Sequence, residues 1–245
     1  MGKNNILVVS AHAADFCTRA GGTIAKYVRD GSKVTVFDLT FGERGESGSY
    51  WRDNPTSTLE KCKERRKVEA QDAANFMGIE IEFFDYNDYP LEMGVDRIRD
   101  LTKRMLHIRP NIVLTHWIED PFNVDHAIAG QSVIRAISSA GMLGAIPNTS
   151  AHFVPDIFFF ESTVPHSEFN NFKMDTYIDI TDVYETKMEA IKKFVSQPQL
   201  VDYYTRFGLH RGFQASDWAR RPVKYAEAFK RYIPFVGSEF PLIER

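Results

Sequence analysis

The first half of the chain alternates short apolar runs with longer amphipathic segments, and this alternation restricts the folds that it can adopt. The run Ile6–Val9 contains no polar residue, which is typical of a parallel strand covered on both faces. Further apolar runs lie at about 33–39, 79–84 and 111–115. Because strands that alternate with helices form βαβ units with right-handed crossovers, we predict a mainly parallel sheet between layers of helices.

The rest of the chain fits the same class but is less regular. Helices are predicted at about 19–30, 58–77, 95–107 and 125–140. Two more strands are predicted at about 156–160 and 176–180, and the sequence from Thr181 onward favours helices with breaks between them. Since no repeat or linker is visible, we expect one domain over 1–245. The predicted fold is α/β, Rossmann-like and three-layered, with an irregular helical C-terminal region.

Charge and composition exclude several kinds of partner. A formal net charge of −3 argues against the basic face that binds nucleic acid. No apolar run approaches the roughly 20 residues that span a bilayer. A predicted strand follows Met1 almost at once, so we expect no signal peptide. The two cysteines, Cys17 and Cys62, suit a reducing compartment. We therefore predict a soluble cytoplasmic protein with a small-molecule partner, neither membrane-bound nor nucleic-acid-binding.

Polar side chains follow two of the predicted strands at the point where each strand ends. His12 and Asp15 come after the first strand, and a longer polar segment comes after the fourth. The carboxyl ends of parallel strands meet at one edge of the sheet, where α/β proteins bind ligands. His126 would complete a His/Asp/His set with an open position, the pattern of a catalytic metal site. Asp125 and Asp120 are candidates to orient the ligating imidazoles.

Structural roles are open for the same residues. His12 alone is typical of a hydrogen-bonded loop residue, and Asp15 of a helix N-cap. Asp125 and His126 could equally cap the helix that they begin. His116 is also placed to bind a metal, but it ranks below His126. Spacing alone therefore leaves both interpretations open.

The motif Ala-His-x-x-Asp at 11–15, together with Thr115-His116 and Asp125-His126, resembles the LmbE-like/PIG-L de-N-acetylase superfamily. The segments 211–212 and 225–229 are similar to the closing part of that superfamily. The resemblance covers nearly the whole chain. It implies a fold of the LmbE-like/PIG-L type with one zinc ion, or another divalent metal, held by His12, Asp15 and His126.

Two departures from the superfamily concern the chemistry of hydrolysis. The deacetylases read His-Pro-Asp-Asp-Glu, where the first Asp is the general base, but this chain has Ala14 at that position. A second active-site imidazole of the superfamily corresponds here to Asn123. Loss of general acid–base help typically costs about 10²–10⁴ in rate, so simple deacetylation is disfavoured.

A narrower resemblance accounts for these departures. The segments 41–47, 82–85, 88–90 and 203–206 look like the 4-oxalomesaconate hydratase branch of the superfamily. That branch adds water to a carbon–carbon double bond in the breakdown of gallate and related aromatic acids, such as protocatechuate. The resemblance implies a zinc-dependent hydro-lyase that acts on an unsaturated oxo-carboxylic acid.

The branch also suggests catalytic residues. Glu46 is the first candidate for the base that activates water, and Glu43 is the second. His166, within a Pro-His pair that the branch carries, is the candidate for the partner acid or substrate clamp. Both glutamates could instead belong to a solvated loop that pairs with Arg44.

A polycarboxylate substrate requires cationic groups, and guanidinium suits carboxylates best. The candidates that bind substrate are Asn123, Arg44, Arg52, Arg206 and Arg211. Arg19, one turn into the first helix, could also face the crevice.

Three hypotheses follow from the sequence. The first is the hydratase, and the alternative is a zinc-dependent de-N-acetylase of the PIG-L type with a relocated base such as Glu46. The third is a non-catalytic metal-binding module. The sequence also allows a homo-oligomer, with the C-terminal third as a candidate interface.

Overall fold

The structure, a computed structural model, describes residues 3–163 and 167–244. Within these residues seven strands form one sheet in the order β3-β2-β1-β4-β5-β7-β6. The strands are β1 (Asn5–Ser10), β2 (Lys33–Asp38), β3 (Glu80–Phe83), β4 (Ile112–His116), β5 (Asp156–Phe160), β6 (Thr176–Asp179) and β7 (Ala226–Arg231). Strands β1 to β5 pair in parallel, whereas β7 is antiparallel to both β5 and β6. This confirms the predicted α/β class with a mainly parallel sheet.

Helices cover both faces of the sheet. They are α1 (Asp15–Arg29), α2 (Gly48–Asp53), α3 (Leu59–Met77), α4 (Val95–Ile108), α5 (Val124–Ala140), α6 (Tyr184–Ile191) and α7 (Leu200–Ala219). Short 3₁₀ turns occupy Ser167–Asn170 and Thr181–Val183. Side chains of α1, α3 and α6 form the core on one face, and those of α4 and α5 form the core on the other.

The apolar run of β1 shows why helices pack on both faces of the sheet and give three layers. Ile6 and Val8 pack into the core under α1 and α3, while Leu7 and Val9 pack into the core under α4 and α5. Alternate side chains of a strand point to opposite faces, so a strand covered on both faces needs apolar residues throughout.

The C-terminal region contains a strand that the sequence analysis did not anticipate. Helices α6 and α7 agree with the predicted helical character, but residues 226–231 form β7. Glu227 makes this strand hard to recognise in the sequence, because its charged side chain is buried at a position where a strand normally carries an apolar residue. That carboxylate accepts hydrogen bonds from the backbone N–H groups of Gly22 and Thr23 and from Lys187.

The topology fixes the position of the site. Strands β2, β1 and β4 are parallel neighbours, and the strand order reverses between β1 and β4. Ligands of open α/β sheets bind at such a reversal, outside the carboxyl ends of the strands. Among the described residues, no helix is both long and apolar enough to span a membrane.

Candidate metal centre and active-site cleft

Four side chains meet at the carboxyl ends of β1 and β4. One ligand atom from each of His12, Asp15, Glu46 and His126 lies within 4.8 Å of all the others. Both histidines and Asp15 are buried, whereas Glu46 is half-buried. Asp15 is the first residue of α1, and His126 lies in the first turn of α5. Glu46 reaches the group from the loop after β2.

The spacing of these atoms fits a divalent metal ion. In tetrahedral coordination with bonds of about 2.0–2.1 Å, neighbouring ligand atoms are about 3.3 Å apart. Nδ1 of His12 lies 3.5 Å from Asp15 Oδ2 and 3.2 Å from Glu46 Oε1. Nε2 of His126 lies 3.6 Å from Asp15 Oδ1 and 3.7 Å from Glu46 Oε1. Moreover, Nδ1 of His12 is buried without a hydrogen-bond partner, so this donor is available to a metal.

Carboxylates behind the two imidazoles orient them. Nδ1 of His126 lies 3.1 Å from Asp120 Oδ2, which also accepts 2.7 Å hydrogen bonds from the N–H and hydroxyl of Thr163. Nε2 of His12 lies 3.4 Å from Asp125, whose oxygens accept backbone N–H groups of the segment 89–91. Since each carboxylate can accept a ring N–H, the other nitrogen of each ring is the one that could bind a metal, after loss of any proton that it carries.

The electrostatics of the cluster favour a bound cation. Burial alone would lower the pKa of His12, but the carboxylates of Glu46, Asp125 and Asp15 outweigh burial and raise this pKa well above its usual value. Burial would raise the pKa of Asp15 and Glu46, yet the neighbouring histidines hold both pKa values low. The carboxylates of Asp15 and Glu46 are thus ionised, which is the form that binds a metal cation.

His116 supports the cluster from behind and is not part of it. Its Nε2 accepts the backbone N–H of Ala11 at 3.0 Å and lies 3.2 Å from Asp15 Oδ2. Burial and His126 lower the pKa of His116 to about 4, so this ring is neutral. It stacks on His126 with ring centroids 4.2 Å apart.

Two glycines bring the loop after β2 close to the cluster. Gly42 has φ +69°, and a Cβ there would lie 3.2 Å from both the His12 and Glu46 Cβ atoms. A Cβ on Gly45 would collide with the ring of Tyr89, which stacks on His12. The loop can pass so near the metal ligands because these positions carry no side chain.

The two candidate bases have different surroundings. Glu46 Oε1 lies in the cluster and accepts a hydrogen bond from Asn123 Nδ2 at 3.2 Å. Glu43 is fully buried away from the cluster, where its Oε1 pairs with Arg44 at 3.2 Å and Lys63 at 3.6 Å. Burial raises the pKa of Glu43. The structure therefore brings only Glu46, of these two, to the ligand atoms.

The four arginines predicted to bind substrate lie outside the His/Asp/Glu cluster and its cleft. Arg52 and Arg206 are exposed and pair with acidic neighbours on their own helices, at 2.7 and 3.0 Å. Arg44 is partly exposed beside Glu43. Arg211 is buried, and its donors are taken by Glu161 and the Gln214 side chain. Their substrate-binding role stays a prediction, as does that of His166, which lies outside the described residues.

A cleft of about 210 Å³ opens beside the cluster. Asp15 and Glu46 form part of its wall, and Ala14 also lines it. Residues that the sequence analysis did not select also line it, namely Thr163, Gln197, Gln199 and Leu200. No motif marks these residues, because tertiary folding alone brings them to the strand ends. Arg19 lines the cleft as well.

Comparisons with known proteins show what this chain is similar to. The chain is 38% identical to 4-oxalmesaconate hydratase of Pseudomonas putida over 238 residues, covering 96% of this chain and 91% of that protein. The crystal structure of GalB, the 4-carboxy-2-hydroxymuconate hydratase of Pseudomonas putida, superposes with a TM-score of 0.91 at 38% identity, covering 96% and 99% of the two chains.

More distant relatives share the fold. The N,N'-diacetylchitobiose deacetylase of Pyrococcus horikoshii superposes with a TM-score of 0.75 at 22% identity, covering 93% of this chain and 83% of that one. Residues 7–137 match the sequence profile of the family described as PIG-L: GlcNAc-PI de-N-acetylase. The chain therefore belongs to the PIG-L family.

Proposed function

We propose that this protein is a metal-dependent hydratase that adds water to the carbon–carbon double bond of an unsaturated oxo-carboxylic acid, 4-oxalomesaconate, in the breakdown of gallate-type aromatic acids. The similarity to 4-oxalmesaconate hydratase, 38% over 96% of the chain, carries this proposal. Ala14 supports it, because this residue lines the cleft at the position where the deacetylases carry their base.

The proposed metal is zinc, held by His12, Asp15 and His126. Two imidazoles and one carboxylate with an open position form a donor set typical of catalytic zinc. A divalent ion there would supply Lewis-acid stabilisation of the negative charge that develops on the oxo end of the substrate. Asp125 and Asp120 contact one nitrogen of each imidazole, which would leave the other nitrogen of each ring to bind the ion.

Glu46 is the proposed general base. It is ionised, because His12 holds the pKa of its carboxyl low despite burial, so it can accept a proton from water. As the water oxygen bonds to one carbon of the double bond, Glu46 takes a proton from that water. The neighbouring carbon then receives a proton, with His166 proposed as the partner acid. Asn123 keeps Glu46 in place by donating to Oε1.

The proposed substrate is a small polycarboxylate, and the proposed location is the cytoplasm. Two buried free thiols, Cys17 and Cys62, agree with a reducing compartment. The alternative function, de-N-acetylation, is supported by the description of the family, which names a de-N-acetylase. It requires an amide substrate and a base in place of Ala14, so we rank it second.

The direct experiment follows the conjugated absorbance of 4-oxalomesaconate after addition of zinc-loaded protein. We expect the absorbance to decay and the hydrated product to accumulate in equal amount. Other unsaturated oxo-acids serve as comparison substrates. Absence of turnover on all of them, by protein shown to contain metal, would refute the proposal.

A further inference from the structure

We propose that Arg19 binds a carboxylate group of the substrate in the cleft and so selects acids over neutral amides. This inference rests on the proposed function, because it assumes a carboxylate substrate. The predicted clamps Arg44, Arg52, Arg206 and Arg211 do not line the cleft. Arg19 is the one basic side chain among the described residues that do line it.

Arg19 stands next to the metal-binding group. It lies one helical turn after Asp15 in α1, and its Nε is 3.7 Å from Asp15 Oδ1. A substrate whose oxo end reaches the metal centre therefore brings an adjacent carboxylate within range of the guanidinium. Glu46 and Thr163 line the same cleft, so the proposed base and Arg19 share one chamber.

One buried donor of this guanidinium makes no hydrogen bond in the protein. Nη1 donates to the backbone carbonyls of Glu161 and Ser162 at 2.6 and 3.0 Å. By contrast, Nε is buried and makes no hydrogen bond. The Arg19 side chain is only 7% exposed. A buried donor of a charged group without a partner is costly, and an anionic ligand in the cleft would satisfy it.

The surroundings hold Arg19 in a fixed position. The two carbonyls that bind Nη1 follow directly on β5. Arg211 fixes this segment through a buried ion pair with the Glu161 side chain. A guanidinium held in this way loses little conformational entropy when a carboxylate binds, which increases both affinity and geometric selectivity.

Charge gives Arg19 its selective effect. The cleft wall carries the carboxylates of Asp15 and Glu46, two acidic groups that would match one divalent cation. Arg19 adds one further positive charge, and a carboxylate ligand neutralises it. A neutral N-acetyl group adds no negative charge to the one that Asp15 offers the buried guanidinium at 3.7 Å, so amides bind less well.

The test uses tricarballylate, a saturated tricarboxylate that cannot be hydrated, with isothermal titration calorimetry on zinc-loaded protein. We expect Arg19→Gln to raise the Kd for tricarballylate roughly 10- to 100-fold, as for loss of a hydrogen bond to a charged group. Arg19→Lys, which keeps the charge but not the planar fork, should raise the Kd less. The trimethyl ester of tricarballylate should bind weakly to all three proteins.

Controls separate this role from a structural one. Arg29→Gln changes an exposed arginine of the same helix and should leave the Kd unchanged. If Arg19 only neutralises Asp15, Arg19→Gln alters zinc affinity but not the Kd for tricarballylate, and that result overturns the inference. Wild-type protein that binds tricarballylate through Arg19 but hydrates no oxo-acid would refute the proposed function alone.

Discussion

The strand ends of β1 and β4 and the loop after β2 build the same cleft in different ways. His12, Asp15 and His126 are buried, and carboxylates that are themselves hydrogen-bonded orient the two imidazoles. Glu46 is half-buried and reaches the cluster only because Gly42 lets its loop pass close to His12. On the proposed function, the strand ends would hold the metal, and the loop would supply the base that determines the reaction. The two functions should be separable by mutation.

Breaking the strand-end region should have the largest effect. His12→Ala removes one of three proposed ligands, so we expect less than one zinc ion for every ten chains and a loss of hydration activity of roughly 10³-fold or more. Elemental analysis of the purified variant measures the first effect and the absorbance assay the second. His107→Ala, at an exposed histidine of α4, is the control for loss of a histidine. Full zinc content in His12→Ala would contradict the ligand assignment.

Breaking the loop should abolish turnover without removing the metal. We expect Glu46→Gln to lower kcat by about 10²–10⁴-fold, since it loses the proposed base while His12, Asp15 and His126 remain. Zinc content should stay near one ion for each chain. Glu43→Gln should instead lower thermal stability, because it removes the charge of a buried carboxylate that pairs with Arg44 and Lys63, and should lower kcat less than tenfold. The reverse ranking of the two variants would show that Glu43 is the base.

The carboxylates that contact the imidazoles test whether residues beyond the proposed ligands contribute to metal affinity. Asp120→Asn weakens the support of His126, so zinc affinity should fall by roughly 10–100-fold. Competition with a chromogenic chelator measures this affinity. The matched control is Glu119→Gln at the exposed neighbouring position, which should leave affinity unchanged. Equal affinities in the two variants would mean that Asp120 does not orient the ligand.

The smallest predicted effect concerns the path of the loop. Gly42→Ala places a Cβ 3.2 Å from His12 and Glu46 at a positive φ. We expect a loss of about 1–2 kcal/mol in stability, read from thermal unfolding, and about a tenfold lower kcat as Glu46 is displaced. Gly48→Ala, where a Cβ would meet nothing within 4 Å, is the control. An unchanged kcat in Gly42→Ala would show that the loop tolerates displacement.

The sequence predicts the parts of this protein that depend on local pattern. The alternation of apolar runs predicts the parallel strands β1 to β5, and Thr58 and Gly78 mark the ends of α3 as N-cap and left-handed C-cap. The carboxyl ends of parallel strands share one edge, which is why His12, Asp15 and His126 could be expected to lie together.

Features that depend on packing between distant segments were not predictable. Strand β7 carries an inward-pointing Glu227 whose partners lie on α1 and α6, so its local pattern is not that of a strand. The exposure of Arg52 and Arg206 likewise depends on which faces of α2 and α7 turn outward. Arg19 was recognisable only as a residue one turn after Asp15, and its place in the cleft follows from the packing of the segment after β5.

The most direct test of the account places one zinc-loaded preparation in two parallel assays. One contains 4-oxalomesaconate and follows its conjugated absorbance, and the other contains N,N'-diacetylchitobiose and measures acetate. We predict hydration that requires the metal and Glu46, with no acetate released. Acetate release without hydration would contradict the account, because it would show that the chain works as a deacetylase despite Ala14.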